Sequence, residues 1–137
     1  MTRFPVFTLL IILGACGEPI PEVKVGAGNP PSFALKGRTD TLIFSVGSVD
    51  DQNPIDAQKP IWEIRNTDNR SGTPVNVVYG VTPVGFQQTA PEGKIPPESL
   101  VNEKKYFYWA QGFYGAKVGC FELLQNKARE VACQKDD

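Results

Sequence analysis

Glycine and proline decide what this chain can fold into. Its 137 residues include 13 Gly and 12 Pro, spread along most of the length. Each proline removes a backbone donor, and each glycine raises the entropy cost of ordering. Long helices do not survive such punctuation, whereas short strands between turns do. The apolar residues agree, because beyond position 31 they recur with a period of two. Residues 32–36, 41–46, 61–65, 75–81, 86–89, 105–111, 118–124 and 128–133 read as strands. Turn formers such as Asp68, Asn69, Ser71 and Gly72 lie between them. Segment 123–132 also has good helix propensity, but it lacks an apolar stripe at helical spacing and reads better as strand. The expectation is an all-β fold, a single antiparallel β-sandwich of about seven strands.

Charge and composition narrow the function. With 14 basic and 15 acidic residues, the chain lacks the basic excess of a nucleic-acid binder. It has no histidine, so a Ser-His-Asp or Cys-His centre is impossible and the commonest metal ligand is missing. Nothing in the spacing of Glu92, Glu98, Glu103, Glu122 and Glu130 pairs two carboxylates for glycoside cleavage. The acidic stretch with Asp50, Asp51 and Asp56 is interrupted by Pro54, does not follow an EF-hand pattern and reads as a solvated turn. No phosphate-cradling glycine motif is present. A non-enzymatic protein without cofactor or metal is expected.

The N-terminus carries an address. A short positive start containing Arg3 precedes a nearly unbroken apolar run over 4–13. Ten such residues are too few to span a bilayer, and their flanks fit a secretory signal peptide. Leu13-Gly14-Ala15-Cys16 follows, and this resembles the lipobox of bacterial lipoproteins. The resemblance implies cleavage before Cys16, diacylglycerol on its sulfur and acylation (palmitate-type chains) of the new amino terminus. Gly17, in place of Asp, implies sorting to the outer membrane, with the domain facing the periplasm. The expected organisation is a signal peptide over 1–15, a lipidated cysteine and Pro/Gly-rich tether over 16–31, and the sandwich over 32–137. The alternative for part of the tether is an edge strand at Val23-Lys24-Val25.

Leu100-Val101-Asn102-Glu103-Lys104-Lys105-Tyr106 resembles the corner of fibronectin type III domains, immunoglobulin-like sandwiches. The resemblance implies that the Tyr106 hydroxyl bonds to backbone near the corner. It also implies that Trp62 is a core residue. Pro83-Val84-Gly85-Phe86 has no counterpart in that family. Together with Tyr79-Gly80, it is similar to a segment of small bacterial lipoproteins.

In an oxidising compartment Cys120 and Cys133 are expected to form a disulfide. A hairpin with 125–128 as its loop would set Leu124 opposite Arg129 and the two cysteines opposite each other.

Function is expected to reside in aromatic residues. In a strand, Tyr106, Tyr108 and Ala110 point one way while Phe107, Trp109 and Gln111 point the other. A sandwich strand needs only one apolar face. The second is therefore either covered by the Pro-rich loop 90–97, which is the simpler arrangement, or is open to a partner. Tyr108, Trp109, Phe113 and Tyr114 are the candidate partner-binding residues, for an envelope protein, the cell wall or a glycan. An envelope enzyme inhibitor or immunity-type factor and a structural assembly subunit are the competing readings.

Overall fold

The computed structural model describes residues 20–36, 41–50, 52, 55, 59–67 and 75–134. The leader and Cys16 lie outside the described residues, as do Asp51, Asn53, Pro54 and Asp56 of the acidic stretch and the 68–74 turn. Among the described residues there are nine strands rather than seven. They are β1 (Glu22–Val25), β2 (Ser32–Lys36), β3 (Ile43–Ser48), β4 (Trp62–Asn66), β5 (Val75–Val78), β6 (Phe86–Ala90), β7 (Lys105–Gln111), β8 (Ala116–Leu124) and β9 (Lys127–Val131).

All pairings are antiparallel, and the strands form two sheets. One has the order β1-β2-β5 and the other β6-β4-β3-β7-β8-β9. With β3 as strand C and β4 as C′, this is an ABE sheet facing a C′CFG sheet, the partition of immunoglobulin-like sandwiches. The departure at Pro83–Phe86 now has a physical form. It leads into β6, an added edge strand that pairs with β4 through a bulge between Glu63 and Ile64.

The core forms where the inward positions of both sheets meet. Phe33 from the small sheet enters a ring of aromatics from the large one. Its ring centroid lies 4.9 Å from Phe44, 5.9 Å from Tyr108 and 5.5 Å from Phe121. Trp62 is fully buried and packs edge-on against Phe44 and Tyr79. Its indole Nε1 donates to Gln88 Oε1 at 3.1 Å, so no donor is left dry. At about 25 cal/mol per Å² of buried apolar surface, each such side chain stabilises the fold by roughly 2–3 kcal/mol. The corner bond is also present. Val101 N–H donates to the Tyr106 hydroxyl at 2.8 Å, while Tyr79 donates to the Glu98 carbonyl at 2.7 Å. The two tyrosines thereby tie the connection that leads into β7.

Strand β7 is aromatic on both faces, and two glycines on its neighbours make this possible. A Cβ on Gly119 of β8 would collide with the Tyr108 ring on the core side. A Cβ on Gly47 of β3 would collide with the Phe107 ring on the outer side. Each ring therefore lies flat across a neighbouring strand.

Two expectations are corrected. Within the segment read as tether, residues 22–25 form a strand of the small sheet and 26–31 are the turn that joins it to β2. β1 pairs with β2 in register from Glu22↔Lys36 to Val25↔Phe33, and Pro21 and Pro31 are fully buried. The edge-strand alternative at Val23–Val25 is the one realised, because Val23 and Val25 alternate towards the core. The C-terminal hairpin is tighter than expected. Gln125 and Asn126 both take positive φ, 50° and 61°, which makes a two-residue turn of the primed type. Leu124 then faces Lys127, and Cys120 faces Val131 rather than Cys133. The disulfide forms nonetheless, because the chain leaves β9 after Val131 and brings Cys133 back to a Cα separation of 5.0 Å.

The disulfide closes a loop between residues 13 apart and pins the outermost strand of the large sheet. Replacing both cysteines (Cys120→Ser with Cys133→Ser) is expected to lower the unfolding free energy by about 3 kcal/mol, read by urea denaturation. The amides of β9 should then exchange fastest of the large sheet.

Candidate functional site

The outer face of the large sheet is built by strict alternation. On β3 the outward residues are Ile43, Ser45 and Gly47, paired with Gln111, Trp109 and Phe107 of β7. On β4 they are Glu63 and Arg65. Ile43, Ser45, Ile55, Pro60, Glu63, Arg65, Phe107, Trp109 and Gln111 enclose an open groove of about 290 Å³. Its floor is sheet, and Ile55 and Pro60 of the β3–β4 connection form one wall. The loop 90–97 takes no part in it. That loop is held at β6, where the Gln88 carboxamide donates to the carbonyls of Pro91 and Ile95 at 3.0 and 2.7 Å. The expected cover over the second aromatic face therefore comes from a different segment and is incomplete.

The polar side of the groove is preorganised. The Glu63 carboxylate accepts from Thr89 Oγ1 at 2.8 Å, from Arg65 Nε at 3.2 Å and from Ser45 Oγ at 3.4 Å. Thr89 reaches it because the bulge at Glu63/Ile64 turns β6 towards β4. The Arg65 side chain is 55% exposed and that of Glu63 only 18%. The guanidinium thus keeps free N–H donors facing outward while its Nε orients the acid. Beside them Trp109 is half-buried, with Ser45 and Val118 as its cross-strand neighbours. An indole, a carboxylate, a guanidinium and the Gln111 carboxamide therefore share one concave surface.

The four candidate residues separate into three places. Tyr108 is fully buried in the core and is not part of any exposed surface. It shares a face with Tyr106 and Ala110, and contact with Phe33 of the small sheet makes that face the inner one. Trp109 faces outward and lines the groove. Phe113 and Tyr114 stand at the β7–β8 turn, 62% and 71% exposed, where a Gly112 N–H to Gly115 carbonyl bond closes the tip. The sequence reading missed Glu63, Arg65, Ser45 and Gln111. The signal was there, since Glu63 and Arg65 are the polar members of an alternating strand and Gln111 continues the Trp109 face.

Cys120 lies next to Phe107 on this same outer face, so the disulfide braces the sheet beside the groove. Glu122 and Glu130 serve structural contacts. Glu122 pairs with Arg129, and Glu130 accepts from the Tyr108 hydroxyl at 2.6 Å. Among the described residues no three His, Cys, Asp or Glu side chains group closely enough to hold a metal ion. Also among them, no helix is long and apolar enough to cross a membrane. Comparison of the chain with protein-family models, with curated proteins and with solved structures gives no match.

Two phenols in the structure carry a pH signature. Burial pushes the Tyr79 hydroxyl well above the ordinary phenol range, and the Glu98 charge adds to it. Burial does the same for Tyr108, reinforced by its hydrogen bond to Glu130 and by that carboxylate's charge. Both raised values mean that the folded state favours the neutral phenol more than the unfolded chain does. Their contribution is complete below the ordinary phenol value of 10.0 and is lost as pH climbs above it. Thermal melting is expected to hold steady to about pH 10 and then fall. Tyr79→Phe and Tyr108→Phe should each flatten that alkaline limb while costing about 1 kcal/mol at neutral pH.

Proposed function

We propose that this chain is a lipid-anchored protein of the cell envelope that acts by binding, with a cell-wall glycan as its ligand. The observation that carries the reading is the groove in which Trp109 stands beside Glu63, Arg65 and Gln111. A sugar ring has an apolar C–H face and a rim of hydroxyls. The indole suits the face, Glu63 accepts from the rim, and Arg65 and Gln111 donate to it. A volume of about 290 Å³ is at the small end for ligand sites, which fits one or two rings rather than a large folded partner. The disulfide and the bulge hold the donors in place before binding, which lowers the entropy cost of capture.

The address rests on the first sixteen residues. An apolar run over 4–13 ends at Leu13-Gly14-Ala15-Cys16, the pattern by which lipoproteins are acylated. Two or three acyl chains anchor firmly, at roughly 0.8 kcal/mol per buried CH₂. The anchored form is placed at the outer membrane, facing the periplasm, where cell-wall glycan is the most abundant polymer.

Purified cell-wall sacculi provide the test. The wild-type domain is expected to co-sediment with them. Trp109→Ala should cut the bound fraction about tenfold, and Glu63→Gln by a smaller factor, with unchanged melting temperature. Wild-type protein that stays in the supernatant and instead captures an envelope protein would overturn the glycan assignment. The anchor is checked separately by labelling cells with an alkyne palmitate analogue. The wild-type chain should take up label, and Cys16→Ala should take up none.

A further inference from the structure

A tether running over all of 16–31 would lift a lipid-anchored domain clear of the bilayer. The structure shortens that tether, because β1 begins at Glu22 and Pro21 is already buried. Only Gly17, Glu18 and Pro19 lie between Cys16 and Ile20, a span of four residue steps. Even fully extended they reach only about 14 Å. The position where the described chain begins therefore decides which part of the domain faces lipid.

That position is the β7–β8 tip. Ile20 packs against it so closely that a Cβ on Gly115 would lie 3.5 Å from Ile20 Cγ1. The tip presents Phe113 and Tyr114, 62% and 71% exposed, and Ile20 itself is 37% exposed. Val84 is fully exposed at the same end. Its placement follows from the ladder. Phe86 pairs with Asn66, Asn66 N–H donates to the Leu42 carbonyl, and Leu42 N–H donates to the Gln111 carbonyl at the foot of the tip. Val81, Ile95 and Val101 are exposed towards the other end, so exposure alone does not choose between the two ends. The entry of the chain beside the exposed aromatic pair Phe113 and Tyr114 does, and such groups are costly in water and favourable in a lipid interface. Tyrosine suits that depth in particular, since its ring is apolar and its hydroxyl stays wet.

Resting on the lipid-anchor reading, we infer that Phe113, Tyr114, Ile20 and Val84 form a membrane-contacting end that seats the domain upright on the bilayer. The interfacial layer of one leaflet is about 5–7 Å deep, well within reach of residues leashed this closely to the acyl chains. The opposite end, with the 26–31 turn and the Gln125-Asn126 turn, then points away from the membrane. The groove on the large sheet faces sideways, parallel to the membrane plane.

Depth-dependent quenching decides the matter. The acylated mature chain, beginning at Cys16, is reconstituted into vesicles of phosphatidylethanolamine and phosphatidylglycerol, with or without acyl chains brominated near the headgroup. Phe113→Trp reports on the tip and Ala27→Trp on the opposite end. The native Trp62 and Trp109 give the same background in both. Bromolipid is expected to quench the reporter at position 113 at least about twofold more than the one at position 27. A smaller ratio, or stronger quenching at position 27, overturns the seating. Intact mass distinguishes loss of the anchor from loss of the seating. An unacylated chain from cells sinks the anchor reading and the seating together, whereas an acylated chain without differential quenching sinks the seating alone. Both reporter sites are solvent-exposed, and near-UV circular dichroism identical to wild type verifies their folding.

Discussion

Phe33 is the side chain on which the two sheets depend. The small sheet has only three strands, and its apolar face must be covered by the large one. Its central strand sends Phe33 between Phe44, Tyr108 and Phe121, all three in tilted or edge contact with it. Those three rings come from β3, β7 and β8, so one residue couples the small sheet to the middle of the large one. Val77 of β5 adds to the buried cluster, and Val23 and Val25 of β1 pack against it. The large sheet can extend to six strands because its centre is fastened in this way. Its outermost members need further devices: the disulfide for β9 and the bulge with its Thr89–Glu63 bond for β6.

Much of this was legible in the chain, and what was not has identifiable causes. Period-two alternation located β2, β3, β4, β7 and β8, since a half-buried strand writes its two faces directly into sequence. The same rule placed Trp109 outward with Phe107. Tyr108 went astray because a period says which residues share a face but not which face meets the core. Only pairing across the sheets settles that, and Phe33 does so. The hairpin register was misjudged because Gln125 is not a usual residue for positive φ. Proline and glycine in 17–31 suggested a tether, yet Pro21 and Pro31 are packed and the short alternation of Val23 and Val25 outweighs them. Glu63, Arg65 and Thr89 converge through a bulge, and a bulge leaves no mark on hydrophobic period.

The doubly aromatic strand links fold to site. A sandwich has one inner face per sheet, so β7 carries more apolar surface than the core alone requires. Gly119 and Gly47 let Tyr108 and Phe107 lie flat across adjacent strands, and this keeps both buried without thickening the sheet. Phe107 is then covered by the approach of Lys59 and Pro60 and flanked by Cys120. Trp109, two residues further along the same face, has no such cover among the described residues and is half-buried. The groove is thus the place where the outer hydrophobic layer ends, and its polar margin is the Glu63–Arg65 pair.

The distance between groove and chain entry gives the two surfaces a common logic. Gln111 is both a wall of the groove and the last residue of β7, and the next four residues form the exposed tip beside Ile20. A strand rises about 3.3 Å per residue, so Trp109 stands only about 7 Å above Gln111 and Phe107 about 13 Å. A domain seated on that tip carries its groove within about 20 Å of the lipid headgroups. A free domain samples all orientations and depths, whereas a seated one offers the groove at a fixed height and facing sideways. Ligands held in a layer parallel to the membrane are met at high effective concentration by such an arrangement. On the proposed anchor at Cys16, the short span to the first strand would be more than a connection, because lengthening it would relax both height and orientation without altering one contact inside the sandwich.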